Sequence, residues 1–176
     1  MQKIAFIVYY HKHNFYSLNA ILGALETDQI FQNLDFFFVR ENDDLIEKVE
    51  KLVIKYPKVV IAISFFTTQI FATRELVKKL KHRFKNEIII IAGGSHPTGD
   101  PSGTLNMGFD IVVIGEGEKT IIELIQKIIN NHSIEIVKGI AYENRENKYI
   151  LTGKREFINL DDYPPFPIKN TRFGAI

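Results

Sequence analysis

Apolar positions follow two different rhythms along the chain. The runs Lys3–Tyr9, Phe36–Val39, Val59–Ser64, Ile88–Ala92 and Ile111–Ile114 are dense in Ile, Val and Phe and do not alternate with polar residues. Strands covered on both faces read this way, because neither face meets water. Between these runs, apolar residues recur every three to four positions: Leu18, Leu22 and Leu25; Leu45, Val49 and Leu52; Leu76, Leu80 and Phe84; Ile121, Leu124, Ile125 and Ile128. Stripes of that period predict helices with one face laid on a sheet. Asn42 or Asp43 is the expected cap of the second helix, and Glu41, Asp43 and Asp44 suit its positive end.

After Asn131 the rhythm changes. Ile134–Glu143 and Lys148–Phe157 read as two strands around a polar Asn-Arg-Glu-Asn turn, a hairpin that either extends the sheet or forms a flap. Asn159–Pro167 then carries closely spaced prolines and cannot pack as a helix, so it reads as a linker. The chain thus divides into an α/β domain over 1–132, a hairpin extension over 133–158 and a Pro-rich linker over 159–176. Repeated strand–helix alternation and right-handed crossovers predict an α/β fold: a flavodoxin-like (Rossmann-like) doubly wound sheet of five parallel strands, order 2-1-3-4-5, followed by the hairpin.

Composition narrows the function classes. Lys+Arg number 22 and Asp+Glu 21, for a formal charge of +1. That balance gives no basic face for a nucleic-acid backbone, so no nucleic-acid partner is expected. With no cysteine in 176 residues, the chain has no disulfide, thiolate nucleophile, zinc finger or Cys-ligated iron–sulfur cluster. Absent disulfides suggest the cytoplasm. The first residues make no signal peptide, and no apolar run reaches the ~20 residues that span a bilayer, so no membrane partner is expected.

In a doubly wound sheet, ligands bind outside the carboxyl ends of the strands. Four loops lie there. Tyr9–Tyr16 holds His11 and His13, which point the same way in an extended loop and permit metal ligation; exposed loop histidines are the bland alternative. Ser64-Phe65-Phe66-Thr67-Thr68 offers Thr67 or Thr68 as a helix cap, while Ser64 and two exposed phenylalanines suit an apolar ligand face. Gly93-Gly94-Ser95-His96 pairs two glycines after a strand, which lets a ligand approach the backbone. Gly115-Glu116-Gly117-Glu118 precedes a helix expected to open at Lys119; its glutamates disfavour phosphate and suit amide or hydroxyl donors. No dinucleotide fingerprint, phosphate loop, receiver-type aspartate or nucleophile elbow is present, which argues against a flavin or nucleotide site and a serine hydrolase.

Taken together, these loops resemble the N-terminal cobalamin-binding domain of cobalamin-dependent radical S-adenosylmethionine proteins. Ile61-Ala-Ile-Ser-Phe-Phe-Thr-Thr68 resembles that family's Ser-x-Leu segment, with Phe66 where Leu is usual. Ile91-Ala-Gly-Gly-Ser-His-Pro97 resembles its Gly-Gly strand end, and Gly108–Thr120 resembles the segment carrying its Gly-Glu-Gly-Glu motif. Gly139–Tyr142, the hairpin and Leu160–Pro167 resemble the bridge into the radical domain. The parts occur in the family's order from Lys3 to the last residue.

The resemblance implies a cobalamin-binding module whose cofactor lies over the strand ends, with its nucleotide tail threaded between strand and helix. Tyr10, His13, Phe15, Ser64, Phe65, Phe66, Thr67, Thr68, Gly93, Gly94, Ser95, His96 and Gly115 to Glu118 (Gly115, Glu116, Gly117, Glu118) are the implied cofactor residues. Enlarging Gly93 or Gly94 is expected to block cobalamin and leave the fold intact. His13 falls where the wider family places the axial cobalt ligand, but the Asp and Gly of that motif are replaced, and radical enzymes of this class often lack the histidine. Their 4Fe-4S cluster and S-adenosylmethionine need a Cys-x-x-x-Cys-x-x-Cys motif, so neither is bound by this chain. The expectation is a fragment whose partner is the C-terminal radical domain of the same parent chain, with methyl transfer or related radical chemistry in the parent and no catalytic residue here. The alternative is a flavodoxin-like docking or regulatory module without cofactor, in which Phe65, Phe66 and Phe71 are interface residues.

Overall fold

The computed structural model describes residues 3–10, 15–156 and 159–164. One seven-stranded sheet runs β2-β1-β3-β4-β5-β6-β7. Its strands are β1 (Ile4–Tyr9), β2 (Leu34–Val39), β3 (Val59–Ser64), β4 (Ile88–Gly93), β5 (Ile111–Val113), β6 (Ile140–Glu143) and β7 (Tyr149–Leu151). The first five pair parallel, in the expected 2-1-3-4-5 order. The last two pair antiparallel, so the hairpin extends the sheet rather than forming a flap. Every residue of β1 is buried, as its unbroken apolar run requires of a central strand.

Helices cover both faces. On one lie α2 (Asn42–Lys55) and α3 (Ile70–Phe84); the short α4 (Ser95–Gly99) and α5 (Pro101–Leu105) precede β5. Leu45, Val49, Leu52, Leu76, Val77, Leu80 and Leu105 pack there on Ile7, Ile61, Ile63 and Ile90. On the other lie α1 (Phe15–Thr27) and α6 (Glu118–Ile129). Leu18, Leu22, Leu25, Leu124, Ile125 and Ile128 pack there on Phe6, Val8, Val60 and Ile91. The four helical stripes of the sequence are thus the buried faces of α1, α2, α3 and α6. Because β1 runs to β2 on one side and β3 to β5 on the other, the winding reverses between β1 and β3.

Local details differ from the sequence reading. The cap of α2 is Glu41, without a side-chain bond, because Asn42 is already helical and its Oδ1 accepts from Tyr9 Oη at 2.6 Å. Neither Thr67 nor Thr68 caps α3; they lie in a 3-10 turn over Thr67–Gln69, where Gln69 Oε1 accepts from the Phe66 N–H at 2.9 Å. Helix α6 opens one residue earlier than expected, at Glu118. The hairpin strands are shorter than read, since Ile134–Lys138 turns back on itself through the Val137 N–H to Ile134 carbonyl bond.

Arg155 fastens the segment after β7 to α6. Its Nε donates to Thr120 Oγ1 at 2.8 Å, its Nη1 to Glu123 Oε1 at 3.0 Å and its Nη2 to the Lys138 carbonyl at 3.0 Å. The Arg155 side chain is 12% exposed and that of Glu123 35%, so solvent screens the pair in part. Arg155→Ala should therefore cost about 1–2 kcal/mol, read from the urea midpoint. Hydrogen exchange should speed up first in β6 and β7; unchanged exchange there would refute the fastening role. Among the described residues, no helix is long and apolar enough to cross a membrane.

Candidate functional site

Side chains on the α1/α6 face shrink toward the carboxyl edge of the sheet. Along β3 they run Val60, Ala62, Ser64, and along β4 Ile89, Ile91, Gly93. Strand alternation puts each set on one face. The amino-terminal turns of α1 and α6 pass above this thinning floor, so a space remains that neither helix fills. It is a cleft of about 400 Å³, within the ~300–1,000 Å³ usual for small-molecule sites. Ala62, Ile91, Gly93 and Val113 form its floor, with Leu18 and Ile21 of α1 and Ile121 of α6 as apolar walls.

Its polar groups are few. Ser17, Ser64, Ser95, Thr98, Glu116 and Glu118 line it, and among the described residues no Lys, Arg or His does. Thr98 Oγ1 accepts from the Gly115 N–H at 3.1 Å, tying α4 to the loop that opens α6. Glu118 is only 8% exposed. Burial pushes its carboxyl above the ordinary range, helped by the charge of Glu116, while the backbone N–H groups of Glu118 and Gly117 pull the other way. Glu118 Oε2 is buried with no hydrogen-bond partner. The cleft therefore suits a largely apolar body that brings N–H or O–H donors, and it disfavours a bare phosphate.

Four glycines of the loops line the cleft, for separate reasons. A Cβ on Gly93 would meet nothing within 4 Å, so this position keeps the floor open without backbone constraint. Gly94 has φ +103°, and a Cβ there would lie 2.9 Å from Ser64 Oγ and 3.0 Å from the Phe65 carbonyl oxygen. A Cβ therefore has room at Gly93, whereas the expectation that Gly94 can be enlarged with the fold intact conflicts with its backbone conformation, in which a side chain is strained. Gly115 has φ +75° with open space around it, and a Cβ on Gly117 would press on Ile21 Cδ1.

The structure brings together Ser64, Gly93, Gly94, Ser95, Gly115, Glu116, Gly117 and Glu118. Other predicted residues lie elsewhere. Tyr10 is buried below the Arg40 guanidinium, 4.9 Å from its ring centre, and edge-on to Phe38. Phe65 is not exposed as the sequence reading holds: it continues the Ile61, Ile63 face into the opposite core and stacks on Phe109 at 5.7 Å. Phe66 is 40% exposed and Phe71 75%. Thr67 Oγ1 meets His96 Nδ1 at 3.2 Å on the rim, and Thr68 is exposed beside it. His11 and His13 lie outside the described residues, as does the Phe15 side chain at the start of α1. Among the described residues, no group of three or more His, Cys, Asp or Glu could hold a metal ion. The sequence reading missed the α1 wall of Ser17, Leu18 and Ile21, since helical period marks a buried face but not what that face covers.

Comparison with known proteins places this geometry. The sequence profile described as the B12 binding domain matches residues 3–125. No curated protein matches the chain. Among solved structures, the radical S-adenosylmethionine methyltransferase TsrM from Kitasatospora setae, with cobalamin and a [4Fe-4S] cluster bound, superposes with TM-score 0.68 at 16% identity, over 90% of this chain and 30% of its own. The cobalamin-dependent S-adenosylmethionine radical enzyme OxsB, with aqua-cobalamin and S-adenosylmethionine bound, gives TM-score 0.66 at 15% identity, over 89% of this chain and 23% of its own. The monomethylamine corrinoid protein of Methanosarcina barkeri gives TM-score 0.51 at 18% identity, over 69% and 57%. These likenesses show a shared fold, and the chain spans less than a third of the length of TsrM or OxsB.

Proposed function

Because the chain belongs to the B12 binding domain family, we propose that it is a cobalamin-holding module that works beside a radical S-adenosylmethionine domain. The observation that carries this reading is the cleft at the carboxyl edge of β3, β4 and β5. Gly93 leaves its floor open, apolar side chains surround it, and no cation lines it among the described residues. The apolar base and the ribose hydroxyls of a cobalamin tail fit that lining, whereas the polyphosphate of a free nucleotide would call for cations there. TsrM and OxsB, which share the fold, carry cobalamin in their structures, and both are radical enzymes of the same class.

Bound cobalamin would supply a cobalt centre able to carry a methyl group or an electron. The residues of this chain have other tasks. Gly93, Gly94 and Ser64, which line the cleft, would border the tail; Leu18, Ile21 and Ile121 would exclude water from it; the Gly115–Glu118 loop would meet its polar groups. With no cysteine in its sequence, the chain contributes no thiolate to a cluster, so the 4Fe-4S cluster and S-adenosylmethionine belong to the partner domain in this reading. Methyl transfer or a related radical reaction would be that domain's work.

The test is direct. The protein is mixed with hydroxocobalamin and desalted, and equilibrium dialysis follows at rising cobalamin. Corrin absorbance that travels with the protein is the expected result. A colourless protein fraction, together with no uptake at millimolar cobalamin, would overturn the reading.

A further inference from the structure

The two edges of the sheet are built differently. At one end β7 is three residues long, with Glu146 and Lys148 just before it. Short edges flanked by charge resist pairing with another chain. At the other end β2 is six residues long, Leu-Asp-Phe-Phe-Phe-Val, and runs beside β1 in unbroken register from Leu34 to Val39. It has no proline, lysine or bulge, and Phe36, Phe37 and Phe38 are each half-buried. Its one charged residue, Asp35, is already paired: it accepts from Lys3 Nζ at 2.8 Å and from Tyr56 Oη at 2.7 Å. Lys48 is also engaged, with its Nζ over the Phe37 ring at 5.8 Å from the centre. The devices that usually blunt a sheet edge are thus present at β7 and missing from β2.

The open backbone groups of β2 can be named. The Tyr10 N–H donates to the Val39 carbonyl at 3.1 Å. In a parallel ladder this turns the N–H and C=O of Asp35, Phe37 and Val39 toward β1. Those of Phe36 and Phe38 therefore point out of the sheet, and Leu34 and Arg40 continue the series at its ends. Among the described residues no strand lies beyond β2 to meet them.

We propose that this edge binds a second copy of the chain, β2 antiparallel to β2 about a two-fold axis at Phe37, so that two seven-stranded sheets join into one. The strand is self-complementary in that register. Phe36 faces Phe38 of the second copy, and both carry outward N–H and C=O groups, so each such pair exchanges two hydrogen bonds. The same pairs set aromatic against aromatic on one face, and Phe37 meets its own copy on the other. Asp35 falls opposite Val39 and Arg40 opposite Leu34, so no like charges face each other across the new ladder. A foreign strand would find the same backbone groups but not this matched set of side chains. The cleft lies on the other side of β1, at β3 to β5, so the proposal does not depend on what fills it.

Sedimentation across a concentration series, hydrogen exchange and cross-linking test the proposal together. The wild-type chain should sediment as a dimer that dissociates on dilution. The Phe36 and Phe38 amides should gain protection as concentration rises, while the other β2 amides, already bonded to β1, should change little. The sequence has no cysteine, so Phe37→Cys adds a single thiol. Across the axis the two Cα atoms of a non-hydrogen-bonded pair lie about 4.5 Å apart, inside the range of about 4.4–6.8 Å that a disulfide spans. Mild oxidation should link Phe37→Cys into covalent dimers and link Tyr149→Cys, on β7, far more slowly. Phe37→Lys should weaken self-association by roughly tenfold or more, because it removes an aromatic pair and opposes two like charges. Mixing it with Phe37→Glu should restore a dimer of the two variants. A monomer at every concentration would overturn the proposal, as would open-ended aggregates or a dimer that leaves the Phe36 and Phe38 amides unprotected and Phe37→Cys unlinked. If the charged variants fail to melt cooperatively, exchange and cross-linking decide alone, since neither needs them.

Discussion

Gly93→Leu should abolish corrinoid retention while leaving a protein that unfolds cooperatively near the wild-type temperature. Gly93 ends β4 and faces the α1/α6 side, over the cleft floor. A Cβ there meets nothing within 4 Å, and the backbone lies outside the left-handed region, so the branched side chain has a place to go. That place is the cleft of about 400 Å³ that the tail would occupy. A cleft walled by packed helices and strands gives way little, and overpacking one commonly costs about 1–3 kcal/mol. Affinity should therefore fall by roughly a hundredfold, about 2.8 kcal/mol at about 1.4 kcal/mol per tenfold. Gly93→Ala, with a single methyl group, should lose far less. Corrinoid titrations of both variants beside thermal melts decide the matter. A folded Gly93→Leu protein with wild-type affinity would place the tail elsewhere.

The strands were legible because burial on both faces leaves an unbroken apolar run, and each of the five runs overlaps a parallel strand. The glycine pair and the Gly-Glu-Gly-Glu loop were legible because they break those runs at their carboxyl ends, where an open sheet binds ligands. What stayed hidden depends on parity and on partners distant in sequence. Phe65 follows the strand, but it keeps the alternation of Ile61 and Ile63, so it enters the core and not the ligand face. That parity is a signal the sequence already carries. The short helix α5 also had one: Asp100 accepts from the Gly103 N–H at 2.9 Å with Pro101 behind it, the arrangement an Asp-Pro pair favours at a helix start. The α1 wall had none, because a stripe of Leu18, Leu22 and Leu25 looks the same above a filled floor as above an empty one. Only the shrinking series Val60, Ala62, Ser64 and Ile89, Ile91, Gly93, set side by side in register, shows the space.

The neighbouring glycine should behave in the opposite way: Gly94→Leu should damage the fold before it affects any ligand. Gly94 holds φ +103°, a region that side-chain-bearing residues enter at a cost of about 1–3 kcal/mol. A Cβ would also sit 2.9 Å from Ser64 Oγ and 3.0 Å from the Phe65 carbonyl oxygen, and the second of these is backbone that cannot swing aside. That backbone is held in turn, since the Phe65 N–H donates to the Gly93 carbonyl at 3.2 Å and its ring stacks in the core on Phe109. Relief would have to come from the β3 and β4 ends moving apart, which breaks the paired register of Ser64 with Gly93. The combined cost should reach about 3 kcal/mol or more, among the larger effects of a single substitution. For a domain of this size that lowers the melting temperature by roughly 6–12 °C. Gly94→Ala should already show much of the loss, because the conformation and the first clash need only a Cβ. Melting both alanine variants side by side separates the two glycines: Gly93→Ala near wild type and Gly94→Ala well below it. Equal melting temperatures would mean that the turn after β4 can relax, and the tail would then be the reason for both glycines.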